Sequence, residues 1–149
     1  MGTRSTYRII EKQGDTETPL CLIYMQYDGY PTGHPTEVAK WLATGKVVNG
    51  FNSSDRESLV FNGAGCLAAR LTSFLKQDNI GNCYIETLDS RGHCGEDYMY
   101  DIIVNRKVSE ALRLRDEFSI TMIAYDADNC ELFAGSPAAF ANNYINQTV

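Results

Sequence analysis

The chain of 149 residues, 44% apolar and 21% charged, suits one globular domain that buries a core without metal or disulfide support. A formal charge of −6 opposes the phosphate backbone of nucleic acid, and the basic residues are scattered, with no cluster denser than Arg113 and Arg115, so a generic nucleic-acid binder is excluded. Five cysteines (Cys21, Cys66, Cys83, Cys94, Cys130) are odd in number and show no CxxC spacing, so neither a zinc ribbon nor a disulfide framework is indicated and reduced, mostly buried thiols are expected.

Residues 5 to 12, "STYRIIEK", and 19 to 27, "PLCLIYMQY", are β-rich runs around the turn "QGDTET", which predicts a hairpin. After "DGYPTG", Pro35 stands where a first helical residue would, Val38, Trp41 and Leu42 follow at helical spacing, and Gly45 marks the stop. The stretch "VVNGFNSSDRES" reads as a long loop able to carry functional groups. From Asn62 the pattern turns helical, with Ala64, Leu67, Ala68, Leu71, Phe74 and Leu75 in one apolar stripe ending near Asp78.

"NCYIETLD", "YMYDIIVN" and "FSITMIAYD" then read as strands, separated by "SRGHCGED" and by "RKVSEALRLRDE", a helical turn or charged loop. "CELFAGSPAAFANNYI" reads as a short strand or turn followed by a helix with Ser136 as N-cap and Pro137 next. This order does not alternate as βαβ units do. It predicts an α+β fold, a mainly antiparallel sheet of about five strands with two or three helices packed on one face.

No apolar run reaches the length of a membrane span or signal-peptide core, the longest being "LCLIYMQY", so the expected location is cytoplasmic with no membrane partner. The Asn-x-Ser/Thr matches at Asn52 and Asn146 then receive no glycan. Met1 to Thr6 fits the degenerate N-myristoylation pattern, but it runs straight into a strand.

The segments "MGTRSTYRI", "QYDGYPTGHPTEVAKWL", "VVNGF", "FNGAGCLAARLTSFLK" and "GHCGEDYMYDIIV" occur in matching order over residues 1 to about 105. Together they resemble a functionally uncharacterised family of small proteins of bacteriophages and some large DNA viruses, with an "MGTRS" start and a "QYDGYPxGH" segment. The resemblance implies a phage or viral accessory role in an infected host cytoplasm and brings no catalytic residues with it.

Three stretches and one arginine hold side chains with chemistry. In "QYDGYPTGHP", Tyr27, Tyr30 and His34 offer stacking faces and donors at a loop rim, with Asp28 as an acceptor, which suits a base or sugar ligand. Turn chemistry explains the same residues: Asp28-Gly29 and Pro31 set a tight turn, the tyrosines cover the end of the core, and His34 caps the helix. "GAGCLA" matches a dinucleotide fingerprint without its βαβ context, leaving Asn62 and Gly63 at a helix start that can hold an anion or simply pack closely. "SRGHCGEDY" gathers His93, Cys94 and Glu96, yet neighbours in an extended segment point opposite ways, so a solvated loop is the stronger reading. Arg4 is either an anion clamp or half of a surface ion pair.

The leading expectation is a protein that binds a small polar or nucleotide-like ligand through Arg4, Tyr27, Asp28, Tyr30, His34, Asn62 and Gly63. A protein–protein or homo-oligomeric module is the alternative. An enzyme built on Cys94, His34, His93 and Glu96 ranks last, because spacing offers no nucleophile-base-orienter geometry. No cofactor motif and no metal-ligand spacing stand out.

Overall fold

The computed structural model describes residues 2–51, 58–110, 115–145 and 147. Three expectations fall wholly or partly outside them: the glycosylation matches at Asn52 and Asn146, the first residue of the Met1 to Thr6 lipidation match, and the middle of "RKVSEALRLRDE".

The expected hairpin forms between β1 (Ser5–Gln13) and β2 (Thr16–Met25), but its turn is only Gly14–Asp15, so most of "QGDTET" is strand. Pro19 sits inside β2, opposite a register shift at Ile9 and Ile10. It is tolerated because β5 (Cys83–Glu86) pairs with β2 only from Leu22 to Met25, leaving the outer side of Pro19 unpaired. β6 (Tyr98–Lys107), β7 (Glu117–Asp126) and β8 (Glu131–Gly135) complete a six-stranded sheet in the order β5-β2-β1-β6-β7-β8.

All neighbours in that sheet are antiparallel except the central pair, β1 and β6, which run parallel with Ser5 opposite Tyr98 and Ile9 opposite Ile102. Central strands are covered on both faces, which explains why "STYRII" and "YMYDIIV" are buried at nearly every position instead of at alternate ones.

The helices α1 (His34–Ala43), α2 (Gly63–Lys76) and α3 (Pro137–Tyr144) share one core with the face that presents Tyr7, Ile9, Tyr100, Ile102 and Met122. The predicted stripe of α2 is buried apart from the half-buried Phe74, and α3 starts as read, with the Ser136 hydroxyl accepting from the Ala139 N–H at 3.1 Å. The opposite sheet face, with Thr6, Arg8 and Asp101, is covered by the turn at Leu88–Ser90 and the segment that follows it to Asp97. The fold is α+β, as expected.

Several boundaries differ from the sequence reading. Lys46–Val48 is a strand, β3, paired in parallel with β4 (Val60–Asn62), although this stretch was expected to be loop; strands of three residues are too short to show a period. His34, not Pro35, opens α1, and α2 stops at Lys76. The thiols are not mostly buried: Cys83 is, Cys21, Cys66 and Cys94 are half-buried, and Cys130 is exposed. No helix among the described residues is long and apolar enough to cross a membrane.

Candidate functional site

The "DGYPTGHP" loop is wound tightly before it enters α1. Asp28 takes a left-handed φ of 58°, the Gly33 N–H donates to the Tyr30 carbonyl at 2.8 Å, and the Thr36 hydroxyl donates to the Pro31 carbonyl at 2.7 Å. Two glycines permit this path. A Cβ at Gly29 would stand 2.5 Å from Ser5 Oγ, and one at Gly33 would collide with the Asp28 carbonyl oxygen.

The sheet holds the loop from below. Tyr7 and Tyr100, neighbours across the parallel pair, stack with ring centroids 5.3 Å apart. Tyr100 donates its hydroxyl to the Gly29 carbonyl at 2.6 Å, and the Tyr7 hydroxyl lies 2.6 Å from His34 Nδ1. Burial raises both phenols well above their ordinary pKa, so they remain donors. With the Tyr7 hydroxyl as donor to Nδ1, the neutral His34 carries its proton on Nε2; with the other tautomer the same bond runs from Nδ1–H to the Tyr7 oxygen.

Burial also pushes His34 down to about 4, against the opposing pull of the Asp28 carboxylate and the Tyr27 backbone. Its Nε2 is sealed from solvent and has no hydrogen-bond partner among the described residues. His34 thus does not cap α1 with its side chain; it is a neutral ring wedged between the sheet and the loop.

Over this loop opens a cleft of about 410 Å³, walled on one side by Tyr27, Asp28, Tyr30, His34 and Glu37 and on the other by the end of α2 and the segment to Asn82. The far wall is fastened to the near one. Asn82 receives the Tyr27 N–H on Oδ1 at 3.2 Å, while the Gln26 N–H donates to the Asn82 carbonyl at 2.9 Å and the Asn82 N–H to Gln26 Oε1 at 3.0 Å. Lys76 braces the same segment, donating to the carbonyls of Ile80, Gly81 and Cys83 at 3.2, 3.3 and 2.9 Å. Phe74, which lines the cleft, stacks on Trp41 of α1 at 4.5 Å.

The expected ligand residues therefore divide. Tyr27, Asp28, Tyr30 and His34 meet in one cleft. Asn62 and Gly63 stand at the other end of α2, about 20 Å away at 1.5 Å per residue, and the Asn62 side chain accepts the Gly50 N–H at 2.8 Å instead of facing an anion. Arg4 is exposed beside Gly95 on the opposite side of β1, its backbone N–H bonded to Asp97 Oδ2 at 3.1 Å.

The expected enzyme residues do not assemble. Thr6 and Tyr7 are adjacent in β1 and point to opposite faces; Tyr7 holds His34, whereas Thr6 donates to Glu96 at 3.1 Å. Glu96 also accepts the N–H groups of Gly92 and Cys94, each at 2.7 Å, so it organises its loop from a buried position. The Cys94 thiol donates to the Ser90 carbonyl at 3.4 Å and is pushed up by burial and by Glu96 and Glu86, the reverse of nucleophile activation. His93 is exposed. Beside this loop, Arg8 grips the buried Asp101 at 3.0 and 2.7 Å, with Arg91 Nε 3.6 Å from the same carboxylate. That network clamps the loop to the sheet.

Glu37, Phe74, Gln77, Asn79 and Asn82 also line the cleft, and nothing in the local sequence of the last four marks them as cleft residues. Glu37 alone carried a signal, standing three residues after His34 and so facing the same way on a helix. No protein-family model, no curated protein and no solved structure matches the chain.

Proposed function

We propose that the protein acts by binding a small polar ligand in the cleft between the Tyr27–His34 loop and the end of α2. What supports the reading is the convergence of Tyr27, Asp28, Tyr30 and His34 on one cavity of about 410 Å³, within the size range of small-molecule sites. The nucleotide-like part of the expectation draws no support from the lining, which offers a phosphate no Lys or Arg among the described residues. A phage or viral accessory role goes with this proposal through the sequence resemblance alone.

The test is native mass spectrometry of the protein after exposure to a small-molecule extract, beside an Asn79→Trp variant that fills the cleft from its exposed rim. A retained mass that the variant loses supports the proposal. A mass kept equally by both proteins, or no retained mass, overturns it.

One observation favours the homo-oligomer alternative. Among the described residues the outer edge of β5 is unpaired; it exposes Tyr84 and Ile85, and Ile80 nearby is 99% exposed, a combination that templates pairing with a second strand. A concentration-independent monomer in sedimentation overturns this second reading.

A further inference from the structure

Building on the reading that this cleft takes a small polar ligand, we infer that the ligand is an organic ammonium ion. The lining contains two carboxylates, Asp28 and Glu37, and no Lys or Arg among its described residues, although the chain has 13 of them. Asp28 has no side-chain hydrogen bond and no ion pair among the described residues. Glu37 is met by Lys40 at 3.3 Å in an exposed pair along α1. Such a pair has little net energy, so a ligand ammonium can take the place of the lysine.

Apart from Lys40 on Glu37, no described group compensates this negative charge, and none pairs with Asp28. Lys76, on the α2 side, spends its ammonium on three backbone carbonyls and the face of Tyr84, 5.3 Å from the ring centroid. His34, held neutral by burial, adds no positive charge at neutral pH. Tyr27 and Tyr30 contribute aromatic rings, whose faces are negative and attract ammonium groups. A carboxylate or phosphate ligand would face two like charges here with no cation to receive it; an alkylammonium finds carboxylate and ring faces together.

The test compares choline with dimethylbutanol, its uncharged carbon isostere, by amide chemical-shift titration of the full chain, with a panel of neutral polar fragments alongside. Choline is expected to shift the amides of Tyr27, Tyr30 and His34 and to bind about tenfold more tightly than the isostere. Asp28→Asn, which keeps a residue suited to left-handed φ, should remove most of that preference. Equal affinities, or a preference that survives in both Asp28→Asn and Glu37→Gln, overturn the ammonium inference. Neutral fragments that bind the cleft while choline does not also overturn it, leaving the small-ligand reading in place. No shift of the cleft amides with any probe overturns both.

Discussion

The Tyr7 hydroxyl sits 2.6 Å from Nδ1 of His34, and this bond joins the centre of the sheet to the wall of the cleft. Its counterpart is the bond from Tyr100 to the Gly29 carbonyl at 2.6 Å. The two tyrosines are neighbours only because β1 and β6 pair in parallel, so the most distant pairing in the sheet fixes both ends of the loop.

Tyr7→Phe removes the donor and leaves a buried imidazole nitrogen unpaired. Desolvation of that acceptor should cost about 1–3 kcal/mol, read as a lower midpoint in urea unfolding with an unchanged slope. In the parent protein, imidazole nitrogen shifts should report the proton on Nε2. A protonated Nδ1 in the parent would reverse the direction of the bond, and a Tyr7→Phe protein of full stability would show that the hydroxyl does not hold the ring.

The same ring makes stability depend on pH. His34 has an ordinary value of 6.5 and about 4 in the folded chain, so between those values the unfolded chain binds a proton that the native state refuses. Its contribution is complete above pH 6.5 and is lost progressively as pH falls toward 4, up to about 3 kcal/mol in all. His34→Asn, which keeps an acceptor within reach of Tyr7, should lack this loss. Unfolding free energies of the two proteins should therefore converge on acidification; parallel pH profiles would contradict the neutral, buried state of His34.

Legibility in the sequence followed the range of the forces involved. The start of α3 was plain because a cap and a proline act within one turn, and the α2 stripe because helical burial repeats along the chain. The parallel pairing of Ser5 with Tyr98 left no local mark, since both strands look like any doubly buried strand. Half of the cleft was readable because Tyr27 to His34 are contiguous; the other half depends on where α2 ends against that loop. Arg4, Asn62 and Gly63 were grouped with it by residue chemistry alone, and topology sends them elsewhere.

Glu96→Ala should loosen the second loop and leave the cleft intact. The substitution strands the Thr6 hydroxyl and the N–H groups of Gly92 and Cys94, which now converge on one carboxylate. A loss of about 2–4 kcal/mol is expected from three donors left without their charged acceptor. Amide hydrogen exchange should accelerate at Gly92 and Cys94 while His34 keeps its protection, because the two loops lie on opposite faces of β1. Equal acceleration at His34 would show that the faces are coupled.

Glycine positions give the sharpest contrast in sign. Alanine at Gly33 drives a methyl into the Asp28 carbonyl oxygen, a backbone atom that cannot swing away, and alanine at Gly29 meets Ser5 Oγ at 2.5 Å. Both should lower stability by about 1–3 kcal/mol, with Gly33→Ala the worse. Gly65 lies inside α2 with open space around its Cβ position, so Gly65→Ala should raise stability by about 0.4–1 kcal/mol through the lower entropy of the unfolded chain. Thermal unfolding of the three variants checks the order. The two loop variants should also lose whatever ligand the cleft binds, because relief of either clash moves the backbone between Asp28 and His34, while Gly65→Ala binds as the parent does.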